Sequence, residues 1–256
     1  MYPRRTLDKT KPWEYFIEPF KILDNLAFIG MYHSSSHLVD TWDGLVIIDA
    51  GYYVTAYATL NGIYALGYNS KDVKYIFLTH WHKDHTEATN QLLNVCTNAK
   101  VVIGVRDDVE VVKRGYAKPD IVVKDGDTIK LGDITFRFVE TPGHTIGTVS
   151  IFFDIKDNGK VYHAGMFGGA GLGAMLKEDP TYYEGCKQEY LNSIEKLRKE
   201  KVDLFIGNHC WNNNTDERCK HFNDKNGVNP FYDEKEFYKF LDFCEKRVLK
   251  MIDDGV

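Results

Sequence analysis

The chain has 256 residues, 43% of them hydrophobic and 14% aromatic, enough apolar material for a sizeable core and consistent with one domain spanning 1–256. A net charge of −5, with Lys and Arg scattered and gathered only in short pairs such as Arg4-Arg5, gives no basic stripe of the kind nucleic acid requires. No apolar run reaches the ~18 residues of a membrane span, and no signal core follows Met1, so the chain as it stands is expected in the cytoplasm, or in the periplasm or outside the cell if a leader has been removed.

From Leu26 to Ala50 three β-rich runs follow one another, 26–31, 36–40 and 45–49, the last two joined by the hairpin signal Asp43-Gly44. Val54, Tyr57, Leu60, Ile63 and Leu66 then recur at helical spacing, closing at Gly67. A buried strand is predicted over 73–78, leading into Thr79-His80-Trp81-His82-Lys83-Asp84-His85-Thr86. A helix over roughly 86–96 and a strand over 101–105 come next, and 106–118 shows no decisive period. The second half opens with Ile121-Val122-Val123, the turn Asp125-Gly126-Asp127 and the alternating Ile134, Phe136 and Phe138. It continues through strands at 148–153 and 161–163, a Gly-rich loop from Gly165 to Gly173, and a helix near 181–199. A strand at 202–206 and a helix over about 234–252 complete the chain. Strands followed by helices, twice, with no Pro- or Ser-rich linker, predict an α/β fold of two sheets between helix layers. The five cysteines lack CxxC spacing and indicate neither a disulfide framework nor a cysteine zinc knuckle.

His80, His82, Asp84 and His85 put four potential metal ligands into six residues at the mouth of a strand. In an extended chain His80 and His82 point to the same side and can share an ion. Asp84 and His85 fall where the chain turns toward a helix, which suits a second ion. Two further histidines follow predicted strands, His144 in Pro142-Gly143-His144-Thr145 and His209 in Gly207-Asn208-His209. Strand ends converge in layered folds, so one ion is expected on His80, His82 and His144 and the other on Asp84, His85 and His209. Three protein ligands per ion is the catalytic zinc count.

These motifs, with the strand ending in Ile48-Asp49-Ala50-Gly51, resemble the metallo-β-lactamase superfamily over roughly residues 13–250. The resemblance implies an αββα sandwich with two zinc ions at one edge and a small-molecule substrate. Glyoxalase-type thioesterases and most other family hydrolases carry a bridging Asp after the next strand, and the first two lactamase subclasses carry a Cys. Here Met166 stands in that position, and a thioether is a poor zinc ligand beside imidazole and carboxylate. An Asp-His-His second site without the bridge is most similar to the third lactamase subclass. That subclass usually has Ser at the Met166 position and again at about Gly168, where it helps hold a substrate carboxylate; this chain has neither.

The expected activity is attack on an acyl bond, a β-lactam amide or a related cyclic amide or ester, by hydroxide generated from zinc-bound water. Asp84 is the expected catalytic residue, orienting the attacking oxygen. Tyr32, His33, Phe167, Tyr182 and Trp211 are the expected substrate-binding wall, along with Ser34–Ser36 and the loop 168–173. Asp49 is expected to orient a ligand loop from behind, and His33, His37, His163 and His221 are expected to be non-ligands. A lactonase, esterase or thioesterase on the same scaffold is the alternative. An iron-dependent oxidoreductase, which in this superfamily uses two His and one Asp on a single iron, is disfavoured by the six ligands.

Overall fold

A computed structural model describes residues 7–222 and 229–255; Arg4 and Arg5 lie outside them. The first sheet has seven strands in sequence order: β1 (Phe20–Leu23), β2 (Leu26–Phe28), β3 (His37–Asp40), β4 (Leu45–Ile48), β5 (Val73–Leu78), β6 (Lys100–Gly104) and β7 (Ile121–Val123). The first four pair antiparallel, with His37 opposite Ile48 across the hairpin that Asp43-Gly44 signalled. From β4 to β7 the pairing is parallel. Each parallel step is crossed by helix: α1 (Ala56–Ala65), then the short α2 (Lys83–Thr86) and α3 (Thr89–Leu93), then α4 (Asp107–Lys113).

The second sheet contains β8 (Thr128–Leu131), β9 (Ile134–Glu140), β10 (Val149–Asp157), β11 (Lys160–Met166) and β12 (Leu204–Phe205), in the order β12-β11-β10-β9-β8. Helix α5 (Cys186–Leu197) carries the chain from β11 to β12, and α6 (Cys210–Asn213), α7 (Thr215–Lys220) and α8 (Glu236–Asp253) close it.

Alternation along the strands divides the apolar side chains into three layers. Phe28, Val39, Ile48 and Phe77 from the first sheet meet Phe136, Phe138, Ile151 and Phe153 from the second, with Phe77 edge-on to Phe136 and Phe138 at 5.1 Å. On the other face of the first sheet, Ile47, Ile76 and Ile103 pack against Ala56, Ile63, Leu92 and Val111 of the helices. Behind the second sheet, Val139, Phe152 and Phe205 pack against Tyr190 and Ile194 of α5 and Phe237, Leu241 and Val248 of α8. Three apolar layers between four structural layers make the αββα sandwich of the metallo-β-lactamase fold.

Three departures from the sequence reading have local causes. Strands β1 and β8 went unpredicted because both lie at sheet edges, where one face is wet; β8 shows no fully buried residue. The helix expected over 86–96 is two short pieces, the first beginning inside the ligand run, where the Thr86 hydroxyl donates to the carbonyls of Trp81 and His82. Helix α5 starts at Cys186 rather than near 181 because Gly185 takes φ 87°, outside helical backbone. Among the described residues no helix is long and apolar enough to cross a membrane.

Candidate metal centre

All ligand candidates follow the C-terminal ends of strands along one edge of the sandwich. His80, His82, Asp84 and His85 follow β5, His144 follows β9 and His209 follows β12. Backbone bonds stitch the two sheets at this edge: Val149 N donates to Thr79 O at 2.9 Å, and Ser35 N to Asn208 O at 2.9 Å. Strand β5 ends at Leu78 and residues 79–81 bend, yet His80 and His82 still come to one triad; His82 then caps α2, which carries Asp84 and His85.

The structure gathers two triads. Ligating atoms of His80, His82 and His144 all lie within 4.8 Å of one another, and so do those of Asp84, His85 and His209. The triads adjoin, the His80 and His85 rings being 4.2 Å apart. His33, His37, His163 and His221 belong to neither.

Hydrogen bonds behind the imidazoles fix which nitrogen faces the centre. The Thr79 hydroxyl and backbone N–H both donate to Asp49, so that hydroxyl must accept from His80 Nδ1 at 3.0 Å, leaving the His80 Nε2 lone pair inward. His144 Nδ1 donates to Gly171 O at 2.6 Å, and His209 Nδ1 donates to His33 O. His85 Nδ1 donates to Asp49 Oδ2 at 2.7 Å, and its buried Nε2 has no hydrogen-bond partner. Anchoring one ring nitrogen so that the other offers its lone pair is what metal-ligating histidines require.

This donor set fits divalent cations. His144 Nε2 sits 3.1 Å from His80 Nε2 and 2.9 Å from His82 Nδ1. Between His80 and His144 that is lone pair against lone pair, repulsive without positive charge between them. Burial, then neighbouring imidazoles, pushes His80 well below the ordinary histidine range, and burial, then His144, does the same to His82; burial takes His144 down to about 4. All three are therefore neutral and ready to ligate. In the second triad burial opposes ionisation of Asp84, yet His85 and His209 hold its carboxyl well below the usual range. Burial likewise opposes charge on His85, but Asp84 and Asp49 carry it up to about 10. The buried Asp49 and the partly exposed Asp84 thus flank His85 with carboxylates, a setting that suits a cation.

Asp49 holds φ 60°, a left-handed conformation that Asp tolerates better than most residues, and its carboxylate reaches both Thr79 and His85. Thr79 was missed by the sequence reading, although a hydroxyl next to the first ligand was a visible signal.

The predicted wall is partly redrawn. Phe167 is 1% exposed and packs on Tyr190 behind the second sheet, so its assignment as a substrate contact is corrected: strand parity turns Met166 into the inner core and Phe167 to the opposite face. Trp211 stacks flat on the His209 ring at 4.2 Å and 12°, and touches Tyr32 and His33, so this aromatic group backs a ligand. Tyr182 is partly buried against the outer layer, 5.7 Å below the Lys187 ammonium. The Gly-rich loop is a backbone cradle. A Cβ at Gly168 would meet Val149 O at 1.9 Å, and one at Gly169 would meet the His144 ring at 2.8 Å. Met166 is fully buried in the inner core and offers no ligand to either triad.

Comparison with known proteins agrees with this geometry. The model of the metallo-beta-lactamase superfamily matches residues 29–209. A curated relative, the hydroxyacylglutathione hydrolase of Hahella chejuensis, is 28% identical over 142 residues, 55% of this chain and 49% of that protein. The chain thus spans about half the length of the curated relatives it matches. Among solved structures, the subclass B3 metallo-beta-lactamase BJP-1 of Bradyrhizobium japonicum superposes with a TM-score of 0.87 at 26% identity, covering 96% of this chain and 98% of that one. The class B3 di-zinc metallo-beta-lactamase LRA-12 from an Alaskan soil metagenome gives 0.82 at 24% identity, with 97% and 98% covered, a likeness of fold. Because the family model takes in more than half of the chain and spans all six ligand candidates, the chain belongs to the metallo-β-lactamase superfamily.

Proposed function

We propose that the chain is a dinuclear zinc hydrolase that opens an acyl bond of a small molecule, a β-lactam amide or a related cyclic amide or ester. The observation that carries this reading is the pair of adjoining triads whose anchored imidazoles turn lone pairs toward two points. His80, His82 and His144 would hold one ion, and Asp84, His85 and His209 the other. Ions bound there supply Lewis acidity, acidifying water and polarising a carbonyl oxygen. Asp84 is the catalytic group on the protein side: partly exposed, it presents a carboxylate that accepts a hydrogen bond and aims the attacking water. The Trp211, Tyr32 and His33 group excludes water behind His209 and keeps that ring from turning.

The likeness to BJP-1 supports a lactam substrate. A second reading, a thioester or lactone, is favoured by the hydroxyacylglutathione hydrolase relatives and by Gly168, where no side chain has room to offer a hydroxyl to a lactam carboxylate. Zinc-loaded protein assayed against a carbapenem, a penicillin, an acyl lactone and an acyl-glutathione thioester separates the two. Turnover of the first pair supports the lactam reading, turnover confined to the second pair replaces it, and no turnover of any of the four rejects both.

A further inference from the structure

A buried carboxylate that neither triad uses lies beside the three-histidine site. Asp107, the first residue of α4, is 0% exposed and makes no ion pair among the described residues. Its Oδ2 accepts from Trp81 N at 3.0 Å and Thr145 Oγ1 at 2.7 Å, and its Oδ1 accepts from Gly147 N at 2.8 Å. Burial pushes its carboxyl up to about 7 even though these hydrogen bonds favour the ionised form. A carboxylate buried this deeply without an ion pair is costly to folding even when hydrogen-bonded, so its place in the structure calls for a role other than stability.

The identity of the donors supplies one. Trp81 stands between His80 and His82, and Thr145 directly follows His144. One carboxylate therefore ties together the two loops that bring all three histidines. Gly147 allows this approach, since a Cβ there would fall 2.7 Å from Asp107 Oδ1 and 2.4 Å from its backbone nitrogen. The other end of α4 holds the same tryptophan: the Arg114 guanidinium lies 3.9 Å over the Trp81 ring. The second triad is oriented from elsewhere, His85 by Asp49 and His209 by the His33 carbonyl.

We propose that Asp107 is a positioning residue for the three-histidine site, clamping the His80–His82 loop to the His144 loop and thereby setting that site's metal affinity separately from its neighbour's. The inference rests on the two-metal reading above. It is tested in two backgrounds that each keep one site, His209→Ala for the three-histidine site and His144→Ala for the other, with Zn²⁺ affinity read by competition against a chromophoric chelator. Asp107→Asn, which keeps the shape and removes the buried charge, is expected to weaken Zn²⁺ about tenfold or more in the first background and by less than about threefold in the second. The metal-free melting temperature should fall by a similar amount in both backgrounds, because the new NH₂ faces a backbone N–H of Trp81 or Gly147, so the difference in Zn²⁺ affinity between the backgrounds is the decisive readout. Thr145→Val, which deletes the 2.7 Å bond to Asp107 along with the 2.6 Å bond between the Thr145 and Thr148 hydroxyls inside the same loop, should weaken the same site in the same direction, and it decides the matter if Asp107→Asn does not fold. Equal weakening in both backgrounds, or no weakening in the first by either variant, overturns the assignment. Failure of the His209→Ala parent to take up any ion defeats the two-metal reading, and the inference with it.

Discussion

Asp49→Asn should strip the second metal site by changing a tautomer rather than a shape. Asp49 Oδ1 accepts from the Thr79 backbone N–H at 2.8 Å, and Oδ2 accepts from His85 Nδ1 at 2.7 Å. The backbone donor cannot turn away, so an asparagine there keeps its oxygen toward Thr79 and presents its NH₂ to His85. Two donors then face each other, and the cheap escape is for His85 to move its proton to Nε2, pointing N–H instead of a lone pair at the metal position. Asn tolerates φ 60° as well as Asp does, so the backbone has no reason to move. Loss of such an outer partner typically lowers metal affinity 10–100-fold, about 1.4–2.8 kcal/mol at 1.4 kcal/mol per decade. Zinc competition against a chelator should show the Asp84, His85 and His209 ion weakened by that amount while the metal-free protein melts near the wild-type temperature. Retention of both ions at wild-type affinity would refute the tautomer argument.

Gly168→Ser adds the hydroxyl that the third-subclass resemblance led one to expect, yet its Cβ would lie 1.9 Å from Val149 O and 3.2 Å from Thr79 Cβ. The expected outcome is a loss of about 1–3 kcal/mol in chemical unfolding, as for overpacking, with no gain in lactam turnover; a loss below ~0.5 kcal/mol would mean the loop has room after all. His37 is buried with both ring nitrogens unpartnered, and burial takes it down to about 3. The unfolded chain takes up its proton near 6.5 and the folded one only near 3, so stability falls as pH drops through that window. Relative to wild type, metal-free His37→Leu should gain about 2 kcal/mol of stability between pH 7.5 and pH 5, at 1.36 kcal/mol per unit. A pH-independent difference would show that His37 already carries a proton or finds a partner in the fold.

The two candidate triads were legible because their chemistry is local: each member sits just past an apolar strand, and side-chain alternation suggests which way it turns. The layers were legible too, since β5, β6 and β10 each hold a buried, mostly apolar stretch, at 76–78, 101–104 and 149–153. What escaped depends on contacts between distant segments. Asp107 lies in the stretch without a clear period, and its meaning comes from Trp81, Thr145 and Gly147, which only folding assembles. Phe167 was misdirected because a Gly-rich loop hides where β11 ends, and a shift of one residue reverses the face. The glycines at 168 and 169 read as loop composition, whereas they are glycine because Val149 and His144 leave no space for a Cβ.

The central claim, that two ions on six residues form one hydrolytic centre, is tested most directly by zinc content measured together with turnover of the best substrate in wild type and His82→Ala. The account predicts two zinc ions per chain in the wild type, and in the variant the loss of the three-histidine ion with activity reduced to background. Full activity in His82→Ala with two ions still bound would contradict it.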